Sequence, residues 1–160
     1  MSESKKQLVL DLFPFKAIED SNDTKLVLNT ITILTLIKEK CHKIVIGPQL
    51  KRLYVQKSRQ IQKELRSKKA GNVGDLIIKL LKSLFTDRQK VRDIDDNIAI
   101  PKDLKLTDDD VPLVKTACRI GNSIIITEDI DDFQRNEKVK TFLKKYNVKV
   151  YSIKEAIEKL

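Results

Sequence analysis

Apolar residues recur along this chain in two rhythms that alternate at regular intervals, one of short buried runs and one of helical spacing. Gln7 to Leu12 (QLVLDL) is a nearly continuous apolar run, the pattern of a strand covered on both faces and ending near Asp11. Val27, Ile31, Leu34 and Ile37 then fall at helical spacing and predict a helix from an Asp23 or Thr24 cap to about Lys40. The β-branched run Lys43 to Gly47 (KIVIG) predicts a second buried strand, and Pro48 suits the first turn of the helix that follows. That helix is expected from Gln49 to about Lys68, with Leu50, Tyr54, Ile61 and Leu65 on one face. After a loop at Ala70 to Gly74, Ile77, Leu80, Leu81 and Leu84 mark another helix. The charged stretch Asp87 to Asn97 (DRQKVRDIDDN) reads as a surface loop.

The C-terminal part continues the alternation. Asp109 or Asp110 can cap a helix carrying Pro112, Val114, Ala117 and Cys118, closed by Gly121. The strand SIIIT follows and gives way to Glu128 and Asp129. A helix through Val139, Phe142, Leu143 and Tyr146 precedes the strand VKVY, and Ser152 with Glu155 forms a capping box for the last helix. Short buried strands alternating with helices predict a three-layer α/β/α sandwich with a mainly parallel central sheet. Neither linker nor repeat interrupts the pattern, so residues 1–160 are expected to form one domain.

Composition supports one self-sufficient core, with 41% apolar and 5% aromatic residues in 160. The net charge of +9 favours polyanionic partners, and its placement says more than its size. Lys38 to Lys69 holds eleven basic residues and two acids, which is the whole excess, while Asp93 to Asp132 holds eleven acids and four bases. Within the basic segment Arg52, Arg59, Lys63 and Arg66 share one helical face and are candidate contacts for a nucleic-acid backbone. Tyr54 is the only aromatic residue there, so contact with phosphates is expected rather than base stacking.

Several classes drop out on residue count. Two separated cysteines, Cys41 and Cys118, and one histidine, His42, supply neither a zinc finger nor a Cys-His nucleophile. Cys118 is expected in the core, and His42 in a structural or surface role at a helix-strand junction. The few glycines form no dinucleotide-binding or P-loop motif. The apolar stretch Leu26 to Ile37 is too short to span a bilayer. The polar start MSESKK points to a cytoplasmic protein with reduced thiols and no membrane partner.

Acids stand where a parallel α/β sheet binds its ligands, beyond the carboxyl ends of the strands. Asp11 ends the first strand, Asp129 follows SIIIT, and Asp110 opens the helix leading into that strand. Crowded carboxylates stay ionised most easily around a hard divalent cation, and such a cation activates water against a phosphodiester without a histidine. Read singly, the acids are a helix cap, a loop start and a lysine partner; a further reading makes Asp11 the phosphoacceptor of a receiver-like domain, though the adjoining acidic pair and downstream Lys of that pattern are not evident.

The run from Asp110 to Ala117 (DVPLVKTA), then Gly121, then IIITED ending at Asp129 with Asp131 and Phe133, resembles the C-terminal signature of PIN domains. LVLD at Leu8 to Asp11 is similar to that family's opening strand and its metal-binding Asp. The resemblance implies a ribonuclease dependent on Mg²⁺ or Mn²⁺, with Asp11, Asp110 and Asp129 as metal ligands and Asp131 or Asp132 supporting them. It implies RNA, single-stranded included, as substrate, and leaves an antitoxin-type or other protein partner and a homodimer open. Two positions differ from the pattern. Leu12 and Phe13 follow Asp11 where the family has a small polar residue and Asn, and Arg52, Leu53 and Tyr54 stand where it has Glu. These differences define the alternative, a catalytically degenerate PIN-like domain that binds nucleic acid or a protein without cutting.

Overall fold

The computed structural model of the chain describes residues 5–20, 22–67 and 72–160; the side chains of 65–67, 72 and 73 lie outside that description. Of the loop expected at Ala70 to Gly74, 70 and 71 lie outside the described residues, while the chain is already helical from Asn72 on. Five strands form one parallel sheet: β1 (Gln7–Leu10), β2 (Lys43–Ile46), β3 (Val91–Asp93), β4 (Ser123–Thr127) and β5 (Val148–Ser152). Their order is β3-β2-β1-β4-β5. Leu8 is opposite Ile44 of β2 and Ile124 of β4, and Ile126 is opposite Tyr151 of β5. Helices lie between successive strands: α1 (Phe13–Glu19), α2 (Thr24–Glu39), α3 (Pro48–Ser67), α4 (Asn72–Phe85), α5 (Asp110–Ile120), α6 (Ile130–Gln134) and α7 (Glu137–Lys145), with α8 (Ile153–Lys159) last. The expected α/β/α sandwich is the architecture found, and its sheet is parallel throughout.

The three central strands are buried on both sides because each carries three consecutive aliphatic side chains: Leu8, Val9 and Leu10, Ile44 to Ile46, and Ile124 to Ile126. Helices α1, α2, α4 and α8 pack on one another, while α5 lies against β1, β2 and β4. Asp23 caps α2 by accepting the Leu26 N–H at 3.1 Å, and Ser152 and Glu155 make the capping box. Gly121 ends α5 at φ 67°, a left-handed conformation that a side chain would strain. Gly47 is required for space: a Cβ there would stand 2.8 Å from the Thr116 hydroxyl and 3.2 Å from the Asp96 Cβ.

Three elements depart from the sequence pattern. The strand β3 lies inside the stretch expected to be a loop, pairing Val91 with Ile44 at the sheet edge. An edge strand needs only one apolar side, so Arg92 and Asp93 are exposed without disrupting the core. Second, β1 ends at Leu10, and the chain turns at once into α1, a seven-residue helix with Pro14 in its first turn. Third, α6 forms a single turn immediately after Asp129. His42 is buried and accepts the Lys6 N–H through Nδ1 at 3.1 Å, and Cys118 is buried in α5 with its thiol pushed up to about 12 by burial. Among the described residues no helix is long and apolar enough to cross a membrane.

Candidate functional site

The sheet order fixes where a ligand can sit. From β1 the chain moves outward to β2 and β3, then returns to the other side of β1 for β4 and β5. The carboxyl ends of β1 and β4 therefore flank the switch point, the crevice that open α/β sheets use for binding. A pocket of about 480 Å³ opens there, lined by Asp11, Asp109, Asp110, Asp129 and Asp132 together with Glu19 and Glu128. Lys16 and Lys57 are the cations on its wall; Lys16 pairs with Glu128 at 2.9 Å and Lys57 approaches Glu19 at 3.8 Å. Three segments far apart in sequence thus bring Asp11, Asp110 and Asp129 to one cavity.

Thr127 organises two of these acids. Its hydroxyl donates to Asp11 Oδ2 at 2.8 Å and accepts the Asp129 N–H at 3.1 Å. The other oxygen, Asp11 Oδ1, accepts the Leu12 N–H at 2.7 Å. Burial nevertheless raises the Asp11 pKa above the ordinary carboxylate value; those two hydrogen bonds oppose the rise, and the charges of Asp129 and Asp109 add to it. Beneath the pocket the Tyr54 hydroxyl lies 2.8 Å from the Leu10 carbonyl and 2.9 Å from that of Asp11, clamping the end of β1. Burial, followed by the nearby Asp11 charge, pushes the Tyr54 pKa well above its usual value.

Asp110 is the least explained by structure and the most informative. Its residue is only 4% exposed, and Oδ2 is buried without a hydrogen-bond partner. Burial, then the charges of Asp132, Asp11 and Asp129, raise its pKa to about 6 against the Thr107 hydroxyl, which lowers it. Its capping role is not taken up: neither Asp109 nor Asp110 makes a side-chain cap to α5, and the Thr107 hydroxyl accepts the Asp110 N–H at 3.2 Å instead. Asp129 likewise stands at the N-cap of α6 without a side-chain cap.

The two supporting acids separate. Asp132 lines the pocket, whereas Asp131 lies outside that lining and meets Arg135 at 3.4 Å on the surface. On α3, Arg52, Arg59 and Lys63 are exposed as expected; the side chain of Arg66 lies outside the described residues. None of these three exposed residues lines the acid pocket, which draws its α3 cation from Lys57, on the opposite side of the helix from Arg59. Sequence reasoning passed over Glu19, Lys16, Lys57 and Glu128 because α1 has no regular period and the other two carried no motif. Early in α3 no acid stands at Arg52 to Tyr54, and Tyr54 fills that region with a buried ring.

An all-oxygen donor set suits a hard divalent cation, and the orphaned Asp110 Oδ2 is the kind of atom such an ion would satisfy. In chemistry the residues fit; in arrangement, no three acidic, His or Cys side chains among the described residues are gathered as a bound ion requires. Against protein-family models, curated proteins and solved structures, the chain matches none.

Proposed function

We propose that this chain is a PIN-like, metal-dependent ribonuclease whose site is the acid pocket between β1 and β4. One observation carries the reading: Asp11, Asp110 and Asp129 converge on a single pocket at the switch point, and Asp110 is buried there with an unpartnered oxygen. A buried carboxylate with no partner costs free energy, so its retention calls for something that the folded chain alone does not supply. Asp11, Asp110, Asp129 and Asp132 would hold Mg²⁺ or Mn²⁺, which when bound polarises a phosphodiester and lowers the pKa of its water.

The protein's own contribution is positioning. Thr127 holds the Asp11 carboxylate and the backbone of Asp129 in fixed relation. Lys16 and Lys57 offset part of the negative charge at the wall, where an RNA phosphate must approach. The exposed cations of α3 add long-range attraction for the strand, weakened by salt. The test is cleavage of a labelled single-stranded RNA with Mn²⁺. The wild type is expected to cut, and Asp110→Asn and Asp129→Asn are expected to lose cleavage; full activity in both variants would refute the assignment.

A second reading has its own support. Tyr54 and Arg52 occupy the region of the missing acid, and the carboxylates are not gathered around one point. A domain of this kind would bind RNA or a protein partner without cutting. RNA binding with no cleavage in Mn²⁺ by the wild type would favour it.

A further inference from the structure

Beyond Phe15 the acid pocket has a neighbour of different chemistry. A second cavity, of about 410 Å³, lies between α3, α4 and the ends of β2 and β3. Its aromatic floor is a cluster of three rings: Phe15 meets Tyr54 edge-on at 5.3 Å between centroids, and Tyr54 meets Phe85 at a tilt at 5.1 Å. Val55, 41% exposed, and the half-buried Ile78 form its walls. Arg59 and Lys82 stand at its edge, and neither makes an ion pair among the described residues. Lys51 is also there, meeting Asp93 at 3.3 Å.

We infer that this slot takes one unpaired nucleobase of a single-stranded RNA whose neighbouring phosphate crosses the acid pocket, an inference resting on the ribonuclease reading above. The volume is in the range of small-ligand sites. The surface is apolar and aromatic inside, where a base gives up little hydration, and cationic at the edge, where the phosphate attached to that base would lie. Phe15 lines both cavities, so a strand passes from one to the other across a single side chain. The slot also unites aromatic residues from three helices that are separated in the chain, which is why the basic segment alone gave no sign of stacking.

An RNA site of this kind discriminates against duplex, because a paired base must first be unpaired and unstacked to enter it. It tolerates any base, since every base has a π-face. The edge cations alone would bind phosphate regardless of the base; the floor adds a term that needs the base.

The test is fluorescence anisotropy in EDTA, where no cutting occurs, comparing a labelled RNA tetranucleotide with the same length of abasic strand. The base-bearing strand is expected to bind about tenfold more tightly. Val55→Trp, which fills the slot from an exposed position, is expected to abolish that difference while leaving the salt dependence unchanged. Ile78→Lys gives a second block from another helix. Equal affinity for the two strands, or a difference that survives both variants, overturns the inference. So does an acidic amphipathic peptide that binds the slot while RNA does not. A base-dependent difference with no cleavage in Mn²⁺ upholds the slot and removes the nuclease reading; cleavage with no such difference does the reverse.

Discussion

In the acid pocket the Asp11 carboxylate and the backbone around it are anchored, while Asp110 keeps a buried unpartnered oxygen: Thr127 ties Asp11 to the backbone of Asp129, Thr107 bonds the start of α5, and Tyr54 clamps the end of β1. On α3, Arg52, Arg59 and Lys63 extend into solvent with no ion-pair partner among the described residues. The first region spends stability to hold like charges together. The second holds unlike opportunities for contact at almost no cost to the fold. Charge held under strain is what the proposed catalytic reading rests on, whereas exposed surface charge suits encounter and affinity. On this account variants of the two regions differ in kind: the pocket controls turnover, and the helix controls binding and its salt dependence.

The largest effect is expected from Asp110→Asn, with cleavage in Mn²⁺ falling by about a hundredfold or more while RNA affinity in EDTA changes little. A parallel loss of affinity would erase the distinction between the regions. Thr127→Val removes the hydroxyl shared by Asp11 and Asp129, and turnover should drop about ten- to a hundredfold without loss of either carboxylate. The readout is single-turnover cleavage against Mn²⁺ concentration, and rescue by Thr127→Ser separates positioning from general packing.

Stability offers a sharper view of the same strain. The folded pKa of Asp110, about 6, lies above its ordinary value of 3.8, so the native state holds the proton more tightly than the unfolded chain does. Stability of the metal-free protein therefore falls as pH rises from about 4 to about 6, and the deficit is fully present above that window. Asp110→Asn should accordingly stabilise the protein at pH 7 in EDTA by about 1–3 kcal/mol and leave it nearly unchanged at pH 4, as measured by urea unfolding. The smallest effect belongs to α3. Replacing Arg52, Arg59 and Lys63 together by Ala should weaken RNA binding severalfold and flatten the log-log salt slope by about 2, without altering the Mn²⁺ dependence of cleavage.

The strands β1, β2 and β4 were legible because aliphatic runs buried on both faces have few other solutions, and β5, at one edge, through the β-branched Val148 and Val150 flanking an exposed Lys149. The edge strand β3 was not, since Arg92 and Asp93 satisfy the sheet through backbone pairing with β2 and not through hydrophobic pattern. Helix α1 hid for another reason: Phe13, Phe15, Ala17 and Ile18 are buried without regular spacing, because the short helix is wedged among α2, α3 and α4. That omission concealed Lys16 and Glu19 on the pocket wall and Phe15 between the two cavities.

The meeting of Asp11, Asp110 and Asp129 at one pocket was readable because topology alone sends strand ends and the start of the preceding helix to one crevice. The choice between Asp131 and Asp132 was not readable, since it depends on how the single turn of α6 leaves β4. Arg52, Arg59 and Lys63 of the α3 stripe are exposed, but their relation to the pocket could not be read: Lys57, on the opposite side of that helix from Arg59, is the residue that faces the acids.

The most direct measurement of the central claim is an anomalous difference map from crystals of the whole chain grown with Mn²⁺ at neutral pH. The account expects one strong peak bounded by Asp11, Asp110 and Asp129, with Asp132 turned toward it and Asp131 remaining with Arg135. The peak should vanish in Asp110→Asn. A pocket without a peak at millimolar Mn²⁺, or a peak indifferent to that substitution, would contradict it.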